Sequence, residues 1–200
     1  FTDATLQGDS LTVILPSSRV ISLQSGKATL IVPSTPPKSY RDVLLHFSLT
    51  AKTLTLPQDL QLLTTDPVQD FSADAQVKGA VPVAPLRQAL SAWRDQGGIV
   101  EMPSFTASQG PLTVSGATTI ALDANLQPII AANLKAKGMG PTIDLLASQR
   151  RIAPNDVLKL KLFIAATEQN APDGGKQVTS GLTIQNGYLY LGPFKIARVA

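Results

Sequence analysis

Two hundred residues (21.1 kDa) suffice for one domain with its own core, and 44% of them are apolar while only 16% are charged. A chain so poor in charge is neither a disordered charged tail nor a coiled coil. Seventeen Lys and Arg spread along the chain for a net +3 make no basic face for nucleic acid, and the absence of cysteine removes disulfides, thiolate metal sites and cysteine nucleophiles.

The dominant period is two. Leu11, Val13 and Leu15 alternate, then Ile21 and Leu23; a Ser25-Gly26 turn is expected before Ala28, Leu30 and Val32. Val43, Leu45, Phe47 and Leu49 share one strand face, with Asp42, His46, Ser48 and Thr50 on the other. Phe71, Ala73, Ala75 and Val77 repeat the pattern, as do Leu112, Val114, Ile120 and Leu122, and then Ile130, Ala132, Leu134 and Ala136. Such alternation marks antiparallel strands with one wet face. Pro33 to Lys38 and Gln169 to Lys176 read as loops.

Helices are few. Over Pro85 to Gln96, Leu86, Ala89, Leu90 and Trp93 form one apolar stripe; Pro85 suits a first turn and Gly97 the left-handed residue past the end. A second helix is expected over Thr142 to Arg150, with Ile143, Leu146 and Ala147 inward. A third is expected to start at Asn155 as N-cap. There Leu158, Leu160, Leu162 and Ile164 alternate with Lys159 and Lys161 and also suit a strand; Ala165 and Ala166 favour the helix. Asn186-Gly187, between Leu182-Thr183-Ile184 and Tyr188 to Leu191, is a hairpin turn. The expected fold is α+β, mainly β: a large curved antiparallel sheet with two or three helices packed on its concave face. A single domain is expected over residues 1–200, strand-only to about residue 83 and helix-containing from about residue 84.

Little in the chain reads as chemistry. His46 is the one histidine, on the polar parity of a strand, and no G-x-S-x-G elbow accompanies it. An enzyme would need a cleft holding His46 with a Ser and an Asp. One His without Cys does not supply a metal site. The acids are 12 Asp and 2 Glu, and Asp59, Asp66, Asp70, Asp123 and Asp173 sit beside turn residues. Gly138-Met139-Gly140 and Gly174-Gly175-Lys176 lack the rest of a phosphate loop and read as turn glycines. Trp93 is first an anchor of its helix on the sheet. Trp93, Leu90, Phe105 and Phe163 are the candidate walls of an apolar groove.

From Trp93 onward a family resemblance joins this reading. The run Trp93-Arg-Asp-Gln-Gly97-Gly98, then Gly110-Pro-Leu-Thr-Val-Ser-Gly116, Ala121-Leu122-Asp123 and the closing Asn186-Gly187-Tyr-Leu-Tyr-Leu-Gly192-Pro193 resemble the uncharacterised bacterial family called domain of unknown function 2125. Asn186 stands where that family usually has Asp. The N-terminal part is similar in strand pattern alone. The resemblance assigns no activity, catalytic residue or cofactor. It implies a Gram-negative setting, with a body in the periplasm or anchored in the inner membrane and facing the periplasm. The chain opens at Phe1, and its membrane segment is expected outside this sequence. A more distant likeness to AsmA-like envelope proteins implies curved sheets with apolar grooves. The expected role is a non-enzymatic envelope protein binding lipid or another apolar ligand in a β-groove, with no cofactor. The alternative is a protein-interaction or scaffold module of the envelope whose sheet edges pair with a partner protein.

Overall fold

The protein is described by a computed structural model covering residues 2–15, 19–57, 66–192 and 194–198. Asp59 and Pro193 lie outside the described residues. In chain order the elements are β1 (Thr2–Leu15), β2 (Arg19–Val32), β3 (Val43–Thr55), β4 (Val68–Lys78), α1 (Leu86–Asp95), β5 (Ile99–Gln109), β6 (Leu112–Leu122) and β7 (Pro128–Lys137). They continue with α2 (Met139–Ser148), α3 (Pro154–Thr167), β8 (Glu168–Asn170), β9 (Lys176–Gln185), β10 (Tyr188–Leu191) and β11 (Phe194–Arg198). The eleven strands among the described residues form one open, curved antiparallel sheet in the order β1-β2-β3-β4-β5-β6-β7-β9-β10-β11, with β8 pairing β9 off this path. The fold is α+β and mainly β, as the alternation predicts.

Register turns the alternation of single strands into two continuous faces. Leu45, Val77, Val100, Ile120, Ile130, Ile184 and Leu189 stand abreast on seven successive strands. On the other face a rung runs Lys27, Thr50, Ser72, Thr106, Ser115, Lys135 and Thr179. A one-residue slip would exchange the faces, so burial of one face fixes every register.

The Ser25-Gly26 turn does not form: β2 runs unbroken through it, paired to β1 and β3. The signal was a real step in apolar parity, between Leu23 and Ala28. The sheet absorbs that step in the strand. Ser10, Gln24 and Thr53 stand abreast at the one place both registers skip. Ser10 and Thr53 take left-handed φ values of 54° and 50°, and the Thr53 hydroxyl donates to Gln24 Oε1 (2.9 Å). The displaced leucines lie over glycines: a Cβ on Gly8 or Gly26 would come within 2.8 Å of Leu11 or Leu23.

α1 ends as its sequence predicts. Gly97 has φ 80°, its N–H donates to Arg94 O (2.9 Å), and the Gly98 N–H donates to Trp93 O (2.8 Å). This paired closure is the Schellman motif. α2 starts three residues before the expected Thr142, because Gly138 turns the chain at φ 75° and its carbonyl accepts both the backbone N–H and the hydroxyl of Thr142. α3 is a helix, but Ala153 rather than Asn155 is its N-cap, with Pro154 preset in the first turn. Its alternation is incidental. Val157, Leu160, Phe163 and Ile164 pack against Ile143 and Val178, while Leu158 and Leu162 point outward and are exposed. The expected loop at Gln169 to Lys176 is shorter: Glu168–Asn170 forms β8 against Lys176–Val178. Asn186 and Gly187, at φ 53° and 72°, make the expected hairpin turn.

All three helices lie on the apolar face. Leu90 and Trp93 of α1 meet Val77, Val100 and Ile120 at one end of the strands. α2 and α3 cover Val178 at the other. Among the described residues, no helix is long and apolar enough to cross a membrane.

Candidate functional site

Between the two helical caps the apolar face is bare. Phe71, Met102, Phe105, Val114, Ile130, Ala132, Leu134 and Leu182 surround a trough of about 350 Å³. Thr118 adds the one hydroxyl to the wall, and that hydroxyl donates to Ala131 O (3.1 Å). Gly116 pairs with Phe105 on one side and Leu134 on the other, so the middle of the trough carries no side chain. Its place is tight: a Cβ there would come 2.1 Å from Asn133 O. Backbone approach of that kind is what strand glycine permits.

A bulge composes the wall. Met102 pairs with Thr118 and Phe105 with Gly116, so that two residues on β5, Pro103 and Ser104, oppose one on β6, Ala117. The extra residue falls at Pro103-Ser104, where proline has no N–H to lose from the ladder. Without the bulge, Met102 and Phe105 would face opposite sides.

α1 is fixed to the strand ends through Trp93. Trp93 is 5% exposed, and its indole N–H donates to Lys78 O (2.7 Å). The ring lies on Gly98, where a Cβ would come within 2.3 Å of it. Arg94 donates to the carbonyls of Asp123 (3.1 Å) and Ala124 (2.9 Å), tying α1 to the β6–β7 turn. Asp123 Oδ1 accepts the N–H groups of Asn125 and Gln127, both at 2.8 Å, and sets that turn. Beneath α1 a second apolar cavity of about 300 Å³ is bounded by Val77, Leu90, Trp93, Val100 and Ile120.

The opposite face is polar. His46 Nε2 lies 2.9 Å from Asp74 Oδ2, and among the described residues Asp74 is its one hydrogen-bond partner. A cleft of about 420 Å³ on this face includes Lys27, Lys52, Asp9 and Asp70. Among the described residues no three His, Asp or Glu side chains converge as metal ligands.

With this geometry in view, comparison gives one relationship. The family described as "Uncharacterized protein conserved in bacteria (DUF2125)" matches residues 5–200. The chain belongs to that family. No curated protein and no solved structure matches it. The match reaches through the N-terminal strands, beyond the part where the motifs were legible. In this DUF2125 chain those motifs are architectural. Trp93, Gly97 and Gly98 form the α1 joint, Asp123 the turn it grips, and Asn186-Gly187 the last hairpin turn.

The four candidate wall residues fall in three places. Phe105 lines the open trough. Leu90 and Trp93 bound the cavity under α1. Phe163 packs with Ile143, Ile164 and Val178 under α2 and α3. Sequence reasoning missed Met102 as a wall residue; its signal was the odd spacing to Phe105 across Pro103.

Proposed function

We propose that this DUF2125 chain is a non-enzymatic protein of the bacterial envelope that holds an acyl chain, or another apolar ligand, in the trough around Gly116. The observation that supports this is an apolar wall, with its single hydroxyl spent on Ala131 O, left bare between two helical caps. Water on such a wall is unfavourable by about 25 cal/mol per Å² of apolar surface, and an exposed apolar hollow is stabilised by an occupant. About 350 Å³ falls in the range of small-ligand pockets, roughly 300–1,000 Å³. Residence in the periplasm rests on the envelope resemblance.

Native mass spectrometry with lipid extraction tests the reading on protein purified from a bacterial envelope. A co-purifying phospholipid or fatty acid at near-integer stoichiometry, lost in Phe105→Asp without unfolding, is the expected result. A clean apo mass overturns it. Trp93 is unsuited to this test, because its loss would dismantle the α1 joint.

A second reading has its own observation. β1 is a 14-residue edge strand without Lys or Pro, the residues that usually guard an edge. Such an edge suits strand addition by an envelope protein. A pull-down sensitive to proline placed in β1, from protein free of lipid, would favour this scaffold role.

A further inference from the structure

The strand ends beside α1 carry a feature the trough does not use. Between β4 and α1 runs Ala80-Val-Pro-Val-Ala-Pro-Leu86, where Val83 is 108% exposed and Leu86 75%. Pro82 and Pro85 stiffen this segment, so little conformational entropy is left to lose when it docks. Val81 belongs both to the segment and to the wall of the cavity under α1, so the exposed apolar surface continues into the apolar face of the sheet.

The charges at this end are unequally committed. Asp42 accepts the N–H groups of Lys38 and Ser39, Asp123 caps its turn, Asp95 pairs with Arg94, and Glu101 pairs with Lys78. Among the described residues Arg87, next to Leu86, has no carboxylate partner. Among the described residues the Arg41 side chain meets the Tyr40 ring and hydroxyl and no carboxylate, and Tyr40 itself is 48% exposed where it packs beside Gly97. The 38–42 loop is tied to the start of the apolar segment by Gly79 N–H donating to Asp42 O (3.0 Å). Protruding aliphatic groups, guanidinium groups not neutralised by a carboxylate and a half-exposed tyrosine are the chemistry of an anionic bilayer surface.

We propose that Val83 and Leu86, flanked by Arg41 and Arg87, dock this end of the sheet on an anionic lipid surface and present the α1 end of the apolar face to the acyl chains. The inference rests on the trough reading for its purpose but not for its test. The 200-residue chain is sedimented with vesicles of equal parts phosphatidylcholine and phosphatidylglycerol, and with phosphatidylcholine alone. Docking predicts partition that favours the anionic vesicles and weakens with salt. Val83→Asp with Leu86→Asp should lower partition at least tenfold at an unchanged unfolding midpoint, while a fluorescent fatty acid still binds. Arg41→Gln and Arg87→Gln should each cost about fivefold on anionic vesicles alone.

Wild-type protein that stays in the supernatant, or a double Asp variant that pellets like wild type, overturns the proposal. So does a concentration-dependent dimer lost in that variant without vesicle binding, which would give the patch to a second copy. Pelleting by a protein that takes up no fatty acid leaves docking intact and defeats the trough; uptake without pelleting does the reverse.

Discussion

Trp93 and Gly98 act as one unit, because the indole occupies the space any side chain at residue 98 would need. Gly98→Ala is expected to destabilise the fold by about 3 kcal/mol, since neither ring nor backbone can yield. Trp93→Phe keeps much of the packing but leaves Lys78 O without its donor, at a cost of about 1–3 kcal/mol. Urea midpoints of the two variants check both figures. Asp42 sets the acid response of the neighbouring loop. The backbone N–H of Lys38, then that of Ser39, holds its carboxyl below the usual carboxylate range. At Asp173 the Lys137 ammonium, then the Gly175 N–H, does the same. In both cases the unfolded chain takes the proton first on acidification. Their stabilisation is full above the ordinary carboxylate value and is lost as pH falls through the depressed folded one. Asp42→Asn should therefore flatten the acid limb of a stability–pH profile while leaving its neutral part shallow.

Single elements show where local signals suffice. α1 was legible because the i, i+3, i+4, i+7 stripe and the terminal glycines act within the helix itself. The kink through Ser10, Gln24 and Thr53 was not, because a parity step reads equally as a turn or as a strand that changes face. Only pairing on both flanks keeps β2 extended. Thr53 bears strain there as a β-branched residue at positive φ. Thr53→Gly is expected to stabilise the protein by about 1 kcal/mol despite losing its bond to Gln24, measured as a raised denaturant midpoint. α3 teaches the converse. Its alternating leucines also suited a strand, Ala165 and Ala166 favoured the helix, and the helix that forms packs Ile164 on Ile143 and Val178.

At the scale of the molecule, the two faces make separable predictions. Met102→Asp and Phe105→Asp both put a charge into the trough and should abolish fatty-acid uptake. His46→Ala removes a cross-strand pair with Asp74 on the polar face and should leave uptake unchanged. Fluorescence titration of the three variants separates a ligand held on the apolar face from one held elsewhere. Of the candidate wall, Phe105 could be chosen from its aromatic character. Its company of Met102, Leu134 and Leu182 could not, because those residues meet only through four strands in register.

Periodicity, and residues a few positions apart, suffice for the antiparallel sheet, the helix anchored by Trp93 and the closing hairpin turn. Tertiary structure alone decided that β2 is one strand, that a bulge at Pro103-Ser104 turns Met102 and Phe105 to the same side, and that the helices gather at the ends of the face. Those outcomes depend on which strands become neighbours, and neighbours are chosen by the burial of a whole face rather than by any stretch of chain.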